Sequence, residues 1–173
     1  FDHWALKQTT EPPRWDDIKY FNVSGPNEYH KDRMASVVYF FYHQIRETGT
    51  FKLFKSYRPG FEYGGRLHDF VCVDDAVDAT LHMLDTAPSQ FAPNVLWKGG
   101  TGAARSFVGL GCAVFLAVGR EPNNQCIPRP KGLRQRYQYL TQATTKKLRR
   151  ASFMRPLPSV EDGVRDHVQD YLV

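Results

Sequence analysis

Two polar residues follow an apolar run in a way that suits chemistry. Residues 19–37 read KYFNVSGPNEYHKDRMASV. The apolar stretch stops at Asn22, a Gly25-Pro26 turn follows, and a polar cluster ends in His30-Lys31. A buried strand of an α/β sheet delivers polar side chains to its carboxyl end in this manner, and such folds bind ligands there. An asparagine at that point has two uses: it hydrogen-bonds a ligand, or it stabilises the bend itself. Lys31 also has two. In a partly desolvated site its pKa falls and it serves as an acid or base; in a solvated loop it does neither.

Strands alternating with helices must position these residues. Residues 1–8 read as part of a helix, and Pro12-Pro13 breaks it. Ile18–Val23 reads as a buried strand, with a helix after it bearing Met34, Val37, Val38, Phe41 and Ile45 and closed by Gly49. Phe51–Phe54 is a short strand. A loop rich in Gly, Arg and aromatics runs from Tyr57 to Leu67. Residues 70–73 form a second buried strand, and Asp74 or Asp75 caps a helix whose apolar face is Val77, Leu81 and Leu84. Asn94–Trp97 is a third strand, leading into Gly99-Gly100-Thr101-Gly102. Ser106 caps a helix carrying Phe107, Leu110, Val114 and Val118; Gly109 and Gly111 inside it cost about 1 kcal/mol each relative to alanine. Gln125–Ile127 is a strand, Thr141–Ala151 a short basic helix, and Ser159 with Asp162 a capping box ahead of Val160, Val164, Val168 and Tyr171. The class is α/β.

The chain has 173 residues, 42% hydrophobic and 24% charged, ordinary for a globular domain with a real core. No apolar run is long enough to cross a membrane, and residues 1–15 lack the pattern of a signal peptide. Three scattered cysteines, Cys72, Cys112 and Cys126, suit neither a disulfide framework nor a zinc site and read as small buried hydrophobes. No metal is expected, and a reducing cytoplasm fits. The formal charge of +5 suits anionic ligands such as nucleotide phosphates, and equally nucleic acid. Basic clusters at Arg129, Lys131, Arg134 and Arg136 and at Lys146, Lys147, Arg149 and Arg150 read as a solvated face with one or two phosphate contacts. No recognisable nucleic-acid module accompanies them.

The segment 19–37 resembles R-[YF]-F-N-V-Y-G-P followed by H-K-G-x-M-A-S-V of the ADP-glycero-manno-heptose 6-epimerases, extended short-chain dehydrogenase/reductases that act on nucleotide sugars. The resemblance runs from Phe1 to Leu172. It includes His68–Asp75, similar to R-D-F-V-Y-V-x-D; Gly99–Gly102, similar to N-L-G-T-G; and the segments 119–123 and 161–166. It implies the C-terminal part of such a fold: the last strands of a Rossmann-like sheet (residues 1–26 and 68–98) and a small α/β substrate-binding subdomain (27–67 and 99–173).

What the family does is then the expectation for the site. The family oxidises the C6″ carbinol of an ADP-heptose, a lipopolysaccharide precursor, with bound NADP and returns the hydride to the other face. The resemblance makes Lys31 a catalytic acid/base that also meets the cofactor, and puts Val23 against the nicotinamide. It makes Asn22, Arg33, Phe54, Lys55, Ser56, Tyr57, His68 and Tyr137 substrate contacts. The partner is a nucleotide sugar, with homo-oligomers in the family; no nucleic-acid or membrane partner is expected. Four positions depart from the pattern. Asp32 stands for the usual glycine, Phe40 for a histidine, His68 for a phosphate-binding arginine, with Arg66 close by, and Lys98 for an asparagine. The glycine-rich phosphate loop and Y-x-x-x-K do not occur in residues 1–173. The chain therefore reads as the C-terminal portion of an epimerase or as a non-catalytic relic of one, and an apolar sheet edge is expected to stay incompletely covered.

Overall fold

The computed structural model describes residues 1–10, 12–85, 95–130, 132, 138–155 and 157–173. Helix α1 is short, Asp2–Ala5. The strand expected over 18–23 is two: β1 (Asp16–Tyr20) and β2 (Asn22–Ser24), separated by Phe21. At that break the chain changes partners. β1 runs parallel to β6 (Val95–Gly99), and β2 runs parallel to β5 (Phe70–Cys72). Phe21 N–H still reaches the Gly99 carbonyl at 2.9 Å, while Asn22 N–H turns to the Asp69 carbonyl at 3.2 Å. Successive strand amides point to opposite edges, so one residue suffices for the change.

Two further parallel pairings complete the frame. β3 (Phe51–Phe54) lies beside β8 (Asn124–Ile127). β4 (Leu67–His68) sits between β7 (Arg105–Ser106), antiparallel to it, and β9 (Leu140–Thr141), parallel to it.

Helix α2 (Val37–Thr48) begins at Ser36, whose hydroxyl accepts the Tyr39 N–H, and ends at Gly49 with φ of 68°. Met34 belongs to a separate 3-10 turn, Asp32–Met34, and is exposed, contrary to the helical reading. Helix α3 (Val73–Asp85) starts one residue before the aspartates expected to cap it. Its buried side is Asp75, Ala76, Ala79 and Met83, while Val77, Leu81 and Leu84 face outward. Small residues let that helix lie close to its neighbours, and the larger apolar ones are left outside.

Helix α4 (Phe107–Ala117) is capped by Ser106. Its two glycines differ. A Cβ on Gly111 would stand 2.1 Å from the Phe51 ring, so glycine is required for close packing; one on Gly109 meets only the Ser106 hydroxyl, at 3.2 Å. Only Lys146–Arg150 of the expected 141–151 helix is helical (α5), because Thr141 pairs in β9. Helix α6 (Val160–Tyr171) carries the expected cap, with Asp162 N–H on the Ser159 oxygen at 3.0 Å.

The main core joins α2, β3, α4 and α6 through Val38, Phe41, Ile45, Phe51, Leu110, Val114, Phe115, Val164 and Val168. A second core, built on Met83, Trp97, Leu148 and Phe153, packs near β1 and β6. β1 and β2 have no buried residue, whereas β5 buries Phe70 and Val71 and β6 buries Trp97, so of the three strands expected to be incompletely covered only the first is without a buried side chain. The three cysteines are half-buried free thiols rather than core residues. No helix among the described residues is long and apolar enough to cross a membrane. No cluster of metal ligands occurs among them either.

Candidate active site

The partner change at Phe21 brings Asn22 against His68. Asn22 Nδ2 donates to the Asp69 carbonyl at 2.8 Å and lies 3.5 Å from His68 Nδ1. On the other side of the ring, Nε2 is 3.2 Å from the Gln138 carbonyl. A carbonyl can only accept, so Nε2 carries the proton and Nδ1 is the acceptor facing Asn22. Burial pushes the His68 pKa down, the Gln138 carbonyl pulls the other way, and nearby Arg66 adds to the depression. The imidazole is thus neutral at pH 7. The Phe107 ring meets it edge-on at 5.1 Å. Arg66 lies over that same Phe107 ring at 3.5 Å, beside His68.

Asp69 fixes this corner. It is fully buried, and its carboxylate accepts four hydrogen bonds: Thr101 N–H (2.9 Å) and hydroxyl (2.5 Å), Gly102 N–H (2.9 Å) and Ala143 N–H (2.9 Å). The Gly99–Gly102 turn needs its glycines. A Cβ on Gly100 would meet Ala143 and Asp69 at 2.7 and 2.9 Å, and Gly102 has φ of 75°. Through Ala143 the same carboxylate anchors the chain after β9, which presents Gln138 and Thr141 to the site.

A cleft of about 400 Å³ opens at this point, lined by Lys19, Tyr20, Phe21, Asn22, His68, Gln138 and Thr141. The Thr141 hydroxyl is buried and has no hydrogen-bond partner among the described residues. A group of arginines and aromatics is built around Tyr139, which follows Gln138 in the chain. Arg129, almost fully buried, donates to the Lys55 carbonyl at 3.0 Å and to the Tyr139 hydroxyl at 3.4 Å. Tyr57 N–H reaches the same hydroxyl at 3.3 Å. Arg58 lies over both the Tyr139 and Phe61 rings. Burial pushes the Tyr139 hydroxyl up, but hydrogen bonds from Arg129, Ser56 and Tyr57 outweigh it and hold it below the usual phenol value. Guanidinium groups, a lysine and aromatic faces in one place suit a nucleoside diphosphate.

Of the residues singled out from sequence, Asn22 and His68 line the cleft. Phe54 ends β3, and Lys55, Ser56 and Tyr57 lie on the loop that Arg129 and Tyr139 hold. Val23 is exposed, next to Asn22. Lys31 and Arg33 are exposed around the 3-10 turn and do not line the cleft. Tyr137 lies outside the described residues. Asp32, standing for a glycine, has φ of 44°, the left-handed backbone that a glycine adopts at least cost. Sequence reasoning did not single out Tyr139 or Thr141, and it placed Arg129 in a solvated cluster. Their roles depend on contacts 70 or more residues away, such as Arg129 to Lys55.

Comparison with known proteins decides the ancestry. Over 178 aligned residues the chain is 44% identical to an ADP-L-glycero-D-manno-heptose-6-epimerase of Fusobacterium nucleatum, covering 99% of this chain and 52% of that protein. It is 41% identical to the enzyme of that name from Nitratidesulfovibrio vulgaris, with the same coverage. Nearly the whole chain is thus similar to about half of an ADP-L-glycero-D-manno-heptose-6-epimerase. It spans about half the length of these curated relatives. No protein-family model matches it. The fold agrees. The crystal structure of a Helicobacter pylori heptose epimerase superposes with a TM-score of 0.77 at 22% identity, over 98% of this chain and 48% of that one. A Thermus thermophilus UDP-glucose 4-epimerase complexed with NAD gives 0.67 at 25% identity, over 90% and 45%. The architecture is that of Rossmann-like extended reductases, and a nicotinamide cofactor is a property of such neighbours.

Proposed function

We propose that this chain supplies the substrate-binding portion of an NADP-dependent ADP-heptose 6-epimerase. The observation that carries the reading is the cleft at the end of β1, lined by Asn22, neutral His68, Gln138 and Thr141, with the Arg129–Tyr139 group starting one residue after Gln138. In this reading the heptose lies against Asn22 and His68. Asn22 already donates its amide to the Asp69 carbonyl, which leaves the side-chain oxygen to accept a sugar hydroxyl. The diphosphate lies toward Arg129, Lys55, Ser56 and Tyr57, with Tyr137, Phe54 and Arg33 as further contacts. Lys31 and Val23 belong to the reacting side.

The glycine-rich turn 99–102 does not fit the cofactor's pyrophosphate. Dinucleotide folds hold it on free backbone amides. In the Gly99–Gly102 turn the Thr101 and Gly102 amides are taken by Asp69. No step through NADP is therefore derived from this chain. That Lys31 is exposed and outside the cleft favours a second reading, a non-catalytic descendant that keeps the sugar-nucleotide shape.

Calorimetry with ADP-glycero-manno-heptose tests the proposal. The chain is expected to bind it, and Thr141→Val to weaken binding about tenfold, the equivalent of one lost hydrogen bond of ~1.4 kcal/mol. Absence of binding at millimolar ligand overturns it. Binding together with no isomerisation, after the half of a relative that this chain does not cover is supplied, selects the second reading.

A further inference from the structure

A second cavity lies away from the cleft. It has a volume of about 170 Å³, and its walls come from three elements. The turn after β2 contributes Ser24, Gly25 and Pro26; the start of α3 contributes Asp74 and Asp75; and α6 contributes Asp166, His167 and Tyr171. Arg155 also reaches it, with its guanidinium paired to Asp78.

His167 is the feature that sets this cavity apart. The residue is only 5% exposed, and neither ring nitrogen has a hydrogen-bond partner among the described residues. A buried imidazole in a protein is ordinarily hydrogen-bonded. Burial pushes its pKa down, against a smaller pull from the Glu28 carboxylate, which accepts Gly25 N–H at 3.2 Å. The ring is therefore neutral and offers one acceptor nitrogen and one N–H. Around it stand the exposed carboxylates of Asp74 and Asp166, the latter also accepting from the Arg165 guanidinium at 3.1 Å through one of its two oxygens. Arg155, the one cation of the wall among the described residues, is already compensated by Asp78. The cavity is thus acidic, and a carboxylate or phosphate would be repelled. Among the described residues no three metal-ligating groups cluster. The volume is that of a small organic group.

We infer that the cavity between Gly25-Pro26, the start of α3 and His167 binds a small organic cation rich in N–H donors, an alkylguanidinium or alkylammonium group. The carboxylates of Asp74 and Asp166 accept from the cation at the mouth, and the neutral His167 nitrogen accepts one N–H in the interior. The site is separate from the proposed sugar-nucleotide cleft and stands without it.

Agmatine serves as the probe for a free cation, and acetyl-arginine amide as the probe for a peptide side chain. The 173-residue chain is titrated with each while the His167 ring resonances are followed by NMR. Agmatine at millimolar concentration is expected to shift both ring carbons saturably. Asp166→Asn and Asp74→Asn, at exposed positions, are each expected to weaken the apparent affinity at least fivefold with unchanged unfolding midpoints. Tetramethylammonium, a cation without N–H donors, is expected to leave the ring unmoved. Acetyl-arginine amide binding as well as agmatine assigns the site to a protein side chain; agmatine alone assigns it to a free cation. No saturable shift with either probe, an equal shift with tetramethylammonium, or indifference to both Asp substitutions overturns the inference.

Discussion

Removing the Asp69 carboxylate should loosen both the fold and the candidate site, and the expected size follows from its contacts. Asp69→Ala leaves the N–H groups of Thr101, Gly102 and Ala143 without their acceptor in a buried place. A buried donor left unsatisfied costs ~1–3 kcal/mol, and hydrogen bonds to a charged acceptor are at the upper end of the range. Three such donors give about 3 kcal/mol as a floor, and entry of water keeps the loss near 3–5 kcal/mol. A domain of this size has about 5–15 kcal/mol in all. Asp69→Asn keeps one acceptor oxygen. Its NH₂ group is best turned to Thr101, whose hydroxyl can rotate and accept, so a smaller loss of about 1.5–3 kcal/mol is expected. Urea unfolding followed through Trp97, buried in the second core, measures both. Hydrogen exchange separates the local effect. Leu67 N–H on the Tyr139 carbonyl and Asp69 N–H on the Thr141 carbonyl, each 2.9 Å, should exchange faster in both variants, because they tie β9 to β4. A loss below 1 kcal/mol for Asp69→Ala, or an asparagine variant as unstable as the alanine one, would refute the reasoning.

Other expectations are narrower. Gly111→Ala should cost about 1–3 kcal/mol by driving a methyl into the Phe51 ring, whereas Gly109→Ala should raise the urea midpoint through better helix propensity. Asp32 is left-handed, so Asp32→Val should cost about 1 kcal/mol, while Asp32→Gly should leave stability unchanged or raise it by up to ~1 kcal/mol; thermal melts compare the three. Burial lowers the pKa of His68 and His167, so their contribution is fully present above the free histidine value of about 6.5 and is lost as pH falls through it. Asp75, raised by burial, acts the other way at lower pH, losing its contribution as pH rises through its folded value. Unfolding free energy measured from pH 7.5 to 5 should therefore decline, and His167→Gln should flatten the decline. Calorimetry of the chain with NADP should show no micromolar binding, since the amides of the glycine-rich turn are occupied by Asp69; a micromolar constant would contradict this.

Signals confined to a few residues were readable in the sequence. Ser106 and Ser159 cap the helices expected after them, and Gly49 takes the left-handed backbone that closes α2. Asn22 was legible as a polar residue at a strand end, and the family resemblance added His68. Signals that depend on which partner an element meets were not readable. Periodicity gave α3 an apolar stripe of Val77, Leu81 and Leu84, but the helix buries Ala76, Ala79 and Met83, since contact distance rather than hydrophobicity chose the face. Gly111 looked like a defect until the Phe51 ring was found against it, 60 residues earlier in the chain. Arg129 belonged to a basic run and looked solvated; only the fold shows it nearly fully buried, between the Lys55 carbonyl and the Tyr139 hydroxyl. The same holds for Asp69, whose four donors lie 32 to 74 residues downstream. A charged group is buried when the tertiary structure brings enough opposing dipoles to it, and that sum is not written in its neighbours along the chain. The parts of the site that sequence missed are therefore its buried polar supports, and the parts it found, Asn22 and His68, are groups that line the cleft.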